Sequence, residues 1–456
     1  MPTNLESPRD YFAVARDEAE ITNLTNNDIY KFLMLDFILA RPELAKLKVR
    51  WKMKVRTKDV KLGHVIPESA LREQLDAARA ISGVSQADCS FLRGMLWPTG
   101  DRLFQEKTLD VLSTLKLCEY NLEADGMWGY DISFEGTWVE SMLWEILALK
   151  IVNTLYLYHK IKKEKISNAE FTQIITEMRS RLFKDVALMK DCPGLDIREF
   201  GARRAASTDI HRSNCEILFE MVPDVVKGTS NVMLAREFGS SNPTGTNAHE
   251  LRMIPTATVD EPDEIIRMMY DIDRQWMHHH KGLGILLPDT FRTSFYFKNA
   301  VKYGAQDVID GHTGCRHDSK DPMIGIPEYV QWLREHGRDP MKLISIPSDG
   351  LTVRSAIDIF LANRANIWKY SAGIGTHITN NTKGTWPRKE KQGESPFGSF
   401  SVVIKPDEVF HPEKKEWVGC VKLWDNPGKS TGPSGRVKLF EQIFGDEGVE
   451  EQEILV

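Results

Sequence analysis

From about residue 195 to residue 376 the chain repeats one rhythm: a short apolar segment ending in Gly, Ser, Thr or Asp, then a helical stretch. LDIREFG (195–201), PTGTNAHE (243–250), GILLPDT (284–290), GCRHDS (314–319), KLISIPSDG (342–350) and NIWKYSAGIGT (366–376) all follow it. Such strand–loop–helix repetition predicts βαβ units on a parallel sheet. The number of units suits a barrel better than a small open sheet. In barrels of this kind the chemistry gathers at the C-terminal ends of the strands, and that is where this chain keeps its Gly, His, Asp and Arg residues.

The flanks read differently. The first twenty residues are polar and aperiodic and predict a loose arm. Asn26, Asn27 and Asp28 offer cap oxygens ahead of IYKFLMLDFIL, an apolar stretch at helical spacing. Residues 48–56 alternate strictly, with Val49, Trp51, Met53 and Val55 against Arg50, Lys52 and Lys54, the pattern of a half-buried strand. A second alternating stretch, MWGYDISFEGTW, precedes a long helix over about 139–163. TKGTWPRKEKQGESPFGS (382–399) reads as a loop or lid. Two strand-like pieces after it, SFSVVIKP and EWVGCVKLW, are expected to return to the N-terminal part. At 456 residues two domains are the natural expectation. We place an α/β domain over 1–150, completed by 383–456, and an α/β barrel domain over 151–382.

Composition removes several function classes. Apolar residues make up 41%, charged residues 27%, and the net charge is -6 without a basic tail, which argues against nucleic acid. Six scattered cysteines form no CxxC pair, so neither a zinc ribbon nor a redox motif is supported. No apolar run reaches membrane-spanning length and no signal core opens the chain, so a cytoplasmic protein is expected.

The strand ends carry the candidate chemistry. In SAGIGTHITNNT, Gly373, Gly375 and Thr376 follow an apolar strand, the form of a phosphate cradle in which backbone N–H groups approach an anion. PSDGL (347–351) is a second such turn. In GCRHDSKDP, Arg316 is a forked cation for phosphate or carboxylate oxygens, and Asp318 and Asp321 are hard acceptors suited to a ribose diol or Mg²⁺. His249 follows a Gly-Thr turn and precedes Glu250. A lone histidine is more often structural, but its place at a strand end favours function. EFGARRAAS sets Arg203 and Arg204 beside the apolar ring of Phe200. Met277, His278, His279 and His280 look like a metal tract, yet their place at a helix end predicts a solvated C-terminus.

The series LTNNDIYK, ISFEGTWVESMLWE, EFGARR, KGTSNVMLA, PTGTNAHE, LPDTF, RHDSKDP, SDGL and GIGTHITN closely resembles the nicotinate phosphoribosyltransferase family, in the family's order, from about residue 24 to 382. The resemblance implies an irregular α/β barrel packed on a smaller α/β domain built from both chain ends, and a homodimer. It implies transfer of a ribose 5-phosphate unit from phosphoribosyl pyrophosphate to nicotinate, with ATP as co-substrate through a phosphohistidine, here His249. Magnesium is expected to bind mainly through pyrophosphate, with no protein ligand set identified. Tyr30, from its own or the partner subunit, and Phe200 are expected to sandwich the pyridine ring, with Arg203, Arg316 and Thr246 around its carboxylate. Ser230 replaces an aspartate of the nicotinamide enzymes and favours the acid. Asp289 and Asp318 are expected at the ribose and Mg²⁺-pyrophosphate, and Ser348, Gly350, Gly375 and Thr376 at the 5-phosphate.

Three departures stand out. Lys320 occupies a family glycine, where it either adds a cation near pyrophosphate or blocks the usual backbone approach. Asn26 or Asn27 replaces an aspartate near Tyr30. EFGARRAASTDIH departs from the family after its core. They motivate an alternative, a non-catalytic nucleotide-binding relative. A same-fold enzyme for nicotinamide or quinolinate is the other. Trp144 and Glu145 recur in the family but read as structural on a long apolar helix.

Overall fold

Strand β1 (Lys48–Val55) buries Val49, Trp51 and Met53 and leaves Lys52 and Lys54 in solvent, as the alternation requires. In the computed structural model, residues 6–97, 100–127, 129–239, 243–388, 398–426 and 430–449 are described. The other strands are β2 (Tyr120–Ala124), β3 (Tyr130–Thr137), β4 (Ile197–Glu199), β5 (Val226–Thr229), β6 (Ile285–Leu286), β7 (Gly314–His317), β8 (Ile344–Pro347), β9 (Lys369–Tyr370), β10 (Ala372–Ile374), β11 (Val402–Phe410) and β12 (Trp417–Gly419).

They divide between two bodies. An antiparallel sheet of order β12-β11-β1-β3-β2 forms the smaller one, so β1 at its centre pairs with a strand from the far end of the chain. The parallel strands form two sheets, β10-β4-β5 and β6-β7-β8-β9. Read around a ring they run in chain order. The extended segment 369–374 pairs with β8 through β9 and with β4 through β10, so one continuous stretch joins the two sheets. Between β5 and β6 the wall is completed by the 244–247 turn: Thr244 N–H donates to the Thr229 carbonyl at 2.9 Å and the Asn247 amide to the Ile285 carbonyl at 3.4 Å. The barrel is irregular in this physical sense. Each body has its own apolar core, one around Trp51, Phe134, Trp138 and Trp144, the other around Tyr296, Tyr329, Trp332 and Phe360.

The chain end serves both bodies. After β12, Leu423 N–H donates to the Thr290 carbonyl, and the helix Ser434–Phe444 lays Phe440 and Phe444 on Phe291. The N-terminal segment is not the loose arm its polarity suggested. Tyr11 and Phe12 are buried against Phe171 and Tyr158, because two short 3₁₀ turns, Pro8–Asp10 and Ala13–Arg16, carry them onto the helix Asn168–Lys190. Of the histidine tract, His278 is exposed as expected, but His279 and His280 are packed into the protein. His279 sits at 2.7 Å from Asp36, and His280 is buried beside Trp276 and Trp97. The carboxylate comes from a helix more than two hundred residues away, which local spacing could not show. The lid expected over 382–399 falls in part on residues 389–397, outside the described residues. Among the described residues no helix is long and apolar enough to cross a membrane.

The barrel body encloses a histidine that must stay neutral. His312 is hydrogen-bonded through Nδ1 to the Ile309 carbonyl at 2.7 Å and through Nε2 to the Tyr329 hydroxyl at 2.9 Å. Burial, then Arg338, pushes its pKa down to about 4. The unfolded chain therefore binds a proton that the folded state refuses between the ordinary value near 6.5 and about 4, so stability is full above that window and is lost as pH falls through it. His312→Gln should flatten this part of the pH dependence, worth roughly 3 kcal/mol between pH 7 and 4, in denaturant titrations of the two proteins.

Candidate active site

The parallel strands end on one rim, and the small antiparallel sheet faces it. Between them lies a cleft of two lobes, of about 870 and 1010 Å³ including their mouths. Phe200, Arg203, Arg204, Arg316, Asp318 and Asp349 line both lobes, so the two are continuous.

The first lobe has aromatic walls and a charged floor. Phe200 follows β4 directly. Residues 25–29 zip onto the segment after β5: Ile29 N–H donates to the Ser230 carbonyl at 2.8 Å, and Val232 N–H to the Asn27 carbonyl at 3.0 Å. This pairing delivers Tyr30 to the cleft of its own chain. It also sets Ser230 Oγ 2.6 Å from Asp28, whose carboxyl burial pushes up to about 6. Ser230, Thr246 and Arg203 line the lobe as expected, joined by residues that sequence reasoning did not single out: Asp28, Arg56, Lys405 and Trp424. The last two lie on the C-terminal segment, where no glycine turn or family motif had drawn attention.

The two arginines expected to meet a carboxylate differ. Arg316 is engaged by the protein, donating to Ser348 Oγ at 3.2 Å, the Asn247 carbonyl at 3.2 Å and Asp318 at 2.8 Å. Among the described residues the Arg203 side chain makes only a loose ion pair with Glu145, at 4.0 Å, and it lines the lobe.

The second lobe is an anion cradle. Ser348, Gly350, Gly375 and Thr376 line it together. Asp349 and Gly350 have φ of 68° and 65°, so successive backbone N–H groups turn inward around a concavity suited to an anion. Gly373 lines this lobe as well, and it also serves packing, since a Cβ there would collide with the Phe200 ring.

His249 lines the first lobe and contacts Asp318, which lines both. Its Nε2 lies 3.0 Å from Asp318 Oδ2 and its Nδ1 2.9 Å from Thr290 Oγ1. Arg316, followed by the His249 contact, holds Asp318 well below the usual carboxylate range against the opposing effect of burial. An ionised Asp318 accepts from Nε2–H, which leaves the Nδ1 lone pair facing the Thr290 hydroxyl. Burial, then Lys422, pushes the imidazole well below its ordinary pKa, so the ring is neutral. Trp424 covers it at 5.4 Å between ring centroids. Asp289 does not line the cleft. It is buried beside His249, 3.9 Å from Nδ1, with neither oxygen hydrogen-bonded among the described residues, and burial pushes its carboxyl up to about 7. Lys422, also buried and without a hydrogen-bond partner among the described residues, lies over the Trp424 ring. His249, Asp289 and Asp318 bring their ligand atoms within 4.8 Å of one another, a grouping able to hold a metal ion.

Residues 25–153 match the N-terminal domain model of the nicotinate phosphoribosyltransferase family, and residues 195–405 match the family's main model. The chain belongs to the nicotinate phosphoribosyltransferase family. Its fold matches the crystal structure of nicotinate phosphoribosyltransferase from Porphyromonas gingivalis at 25% identity, over 93% of this chain and 100% of that one, with a TM-score of 0.76. The Vibrio cholerae nicotinate phosphoribosyltransferase matches at 22% identity over 97% and 96%, with a TM-score of 0.78. A putative nicotinate phosphoribosyltransferase from Saccharomyces cerevisiae matches at 21% over 94% and 99%, with a TM-score of 0.71.

Two of the three departures from the family pattern, at Lys320 and at Asn26 and Asn27, resolve into packing. Lys320 turns away from the cleft: its ammonium donates to Glu328 at 2.6 Å and Ser294 at 3.0 Å. It neither adds a cation to the cleft nor fills it. Asn26 Oδ1 accepts from the buried Lys150 at 2.5 Å and from Asn231 at 2.9 Å, and Asn27 donates to the Leu143 carbonyl at 3.1 Å. Both brace the segment that carries Tyr30, and Asp28 still supplies a carboxylate next to it.

The tight contact at Gly373 yields a test. Gly373→Ala should push the Phe200 ring off β10 and cost about 1–3 kcal/mol as an overpacked site. Thermal unfolding checks the loss, and Gly373→Ala with Phe200→Leu should recover most of it.

Proposed function

We propose that this chain is an ATP-coupled nicotinate phosphoribosyltransferase that works through a phosphohistidine at His249. Nicotinate, phosphoribosyl pyrophosphate and ATP would yield nicotinate mononucleotide, pyrophosphate, ADP and phosphate. One observation carries this reading: a buried, neutral imidazole lines the aromatic lobe and is held in one tautomer by Asp318, which also lines the anion cradle.

Each lobe suits one part of the chemistry. The pyridine ring fits between Tyr30 and Phe200, flat faces against a flat ring. The 5-phosphate fits the cradle of Ser348, Gly350, Gly375 and Thr376, next to the first turn of the helix Val353–Asn363, whose amide ends favour anions. The ribose then lies across Asp318, where an ionised carboxylate stabilises the positive charge that grows on the sugar as the C1–O bond breaks. Asp318 also serves His249. By holding Nε2–H it leaves Nδ1 as the nucleophile for the γ-phosphoryl group of ATP, the role an orienting carboxylate plays beside a catalytic histidine. Attack forms the N–P bond and releases ADP; the later transfer to water returns phosphate.

Magnesium fits this site. Asp289 offers two buried oxygens with no hydrogen bond among the described residues, close to Asp318, the hard-oxygen donor set such an ion takes. A bound ion would neutralise the leaving pyrophosphate.

A second reading rests on Asp28. Its carboxyl lines the base lobe and holds the Ser230 hydroxyl, so the lobe is not free of acidic groups and an amide-bearing base has an acceptor there. Competition among nicotinate, nicotinamide and quinolinate decides between the bases, and nicotinate is expected to win.

The test is product formation from nicotinate, phosphoribosyl pyrophosphate and Mg²⁺, with and without ATP. Wild type should make nicotinate mononucleotide faster with ATP, and His249→Ala should lose the ATP stimulation entirely. Asp318→Asn should lose about two orders of magnitude or more in turnover, since the tautomer is no longer enforced. Absence of pyrophosphate release with every base would leave a nucleotide-binding relative as the better account.

A further inference from the structure

Selecting a carboxylate calls for a cation less engaged than Arg316, each of whose three nitrogens already donates to Ser348, Asn247 or Asp318. The cluster beneath Tyr30 supplies one. Glu145, on the helix Trp144–Lys163, is fully buried, and its two oxygens are shared out. Oε2 takes Lys31 at 2.7 Å and the Tyr30 hydroxyl at 3.4 Å; Oε1 takes Lys405 at 2.7 Å and, more loosely, Arg203 at 4.0 Å. Lys31 reaches across to Glu250 at 2.5 Å, on the helix that starts beside His249. A single carboxylate oxygen therefore stands between the Lys405 ammonium and the Arg203 guanidinium and draws both to the same wall.

Lys405 lines the lobe, and its side chain is only 11% exposed. Its one hydrogen bond among the described residues goes to Glu145, and an ammonium has three donors. Two are left for the lobe. The lining as a whole is cationic: Arg56, Arg203, Arg204, Arg316 and Lys405 against Asp28, Asp318 and Asp349. A ligand with one negative charge reduces that excess, and an uncharged one leaves it.

We propose that Lys405 is a substrate-binding residue that receives the carboxylate of the pyridine base together with Arg203, and that Glu145 is the positioning residue that holds both cations on that wall. The inference rests on the reading of the cleft as a nicotinate site and assigns its acid selectivity to the C-terminal strand β11. Glu145 fixes Lys405 in one place, so the ammonium is already ordered when the ligand arrives and less entropy is lost on binding.

The experiment compares wild type, Lys405→Met, Lys405→Gln, Lys405→Arg and Glu145→Gln, each checked for folding by thermal unfolding. Two readouts are taken with nicotinate and nicotinamide: kcat and KM in the full reaction, and direct calorimetric titration of the protein with each base. Lys405→Met and Lys405→Gln should raise the KM and Kd for nicotinate by about 10–100-fold, the worth of a charge-assisted bond, and lower the nicotinate-to-nicotinamide ratio of kcat/KM by a similar factor. Lys405→Arg should restore most of the ratio. Glu145→Gln should raise the nicotinate KM more than it lowers kcat, which a loss of general stability would not do. Nicotinate affinity within threefold of wild type in folded Lys405→Met or Lys405→Gln overturns the inference. Nicotinate binding that depends on Lys405, in a protein that forms no mononucleotide, upholds it and overturns the proposed function instead.

Discussion

Four buried charges tie the two bodies of this protein together. Lys31 comes from the first long helix, Glu145 from the helix after β3, Glu250 from the barrel helix beside His249, and Lys405 from the strand that returns from the far end of the chain. None of these charges is stable alone in an apolar interior, and breaking such a pair by removing one partner costs about 3–5 kcal/mol. The pairs form only when the antiparallel sheet is seated on the barrel rim. Desolvation is not fully offset: burial pushes the Glu250 carboxyl up to about 7 even with Lys31 beside it. The cluster therefore fixes geometry more than it adds stability, and what it fixes is the floor of the cleft.

A second buried carboxylate does the same for the barrel side. Glu199 ends β4 and accepts from Gly201 N–H, from the Thr229 hydroxyl at 2.5 Å and from His211 at 2.8 Å. Phe200 and Ser230 are the residues next to these anchors, on neighbouring strands. The aromatic wall and the hydroxyl of the base lobe thus inherit their separation from one side chain that touches no ligand. Parallel strands bring their C-terminal ends to a common rim, and buried carboxylates convert that approximate nearness into fixed distances.

The sequence was most legible where local chemistry and position agree. Glycine turns after apolar segments marked the anion cradle, because a close backbone approach requires that residue type, and the 3.6 and 2.0 periodicities separated the two bodies. What escaped was long-range. The return of β11 to the N-terminal sheet is expected from its strand-like pattern; that Lys405, Lys422 and Trp424 on that segment meet the barrel rim is a property of topology, which alternation alone does not show. The partner of His279 is Asp36, and the partners of Glu145 are Lys31 and Lys405, none within reach of a local pattern. Polarity also misled at the N-terminus, where a few apolar residues, Tyr11 and Phe12 among them, suffice to pin a segment that is otherwise hydrophilic.

The same distinction bears on whether this chain is a catalyst or a binding relative. Lys320, Asn26 and Asn27, taken along the sequence, look like changes at the chemistry and so favour a degenerate site. In the fold they are changes behind it. Lys320 is neutralised by Glu328 on the following helix, and a lysine so paired takes neither space nor charge from the cleft. Asn26 sits against Lys150, whose ammonium burial pushes down to about 8, so a neutral acceptor there suits a cation that is itself close to losing its charge. The groups that would have to be lost in a non-catalytic relative are the ones under tightest control: His249 between Asp318 and Thr290, and Asp318 between His249, Arg316 and Ser348. Holding a neutral histidine beside an ionised aspartate, with a buried lysine whose ammonium has no hydrogen-bond partner among the described residues, is unfavourable away from solvent. A site that only bound a nucleotide would have no use for that arrangement.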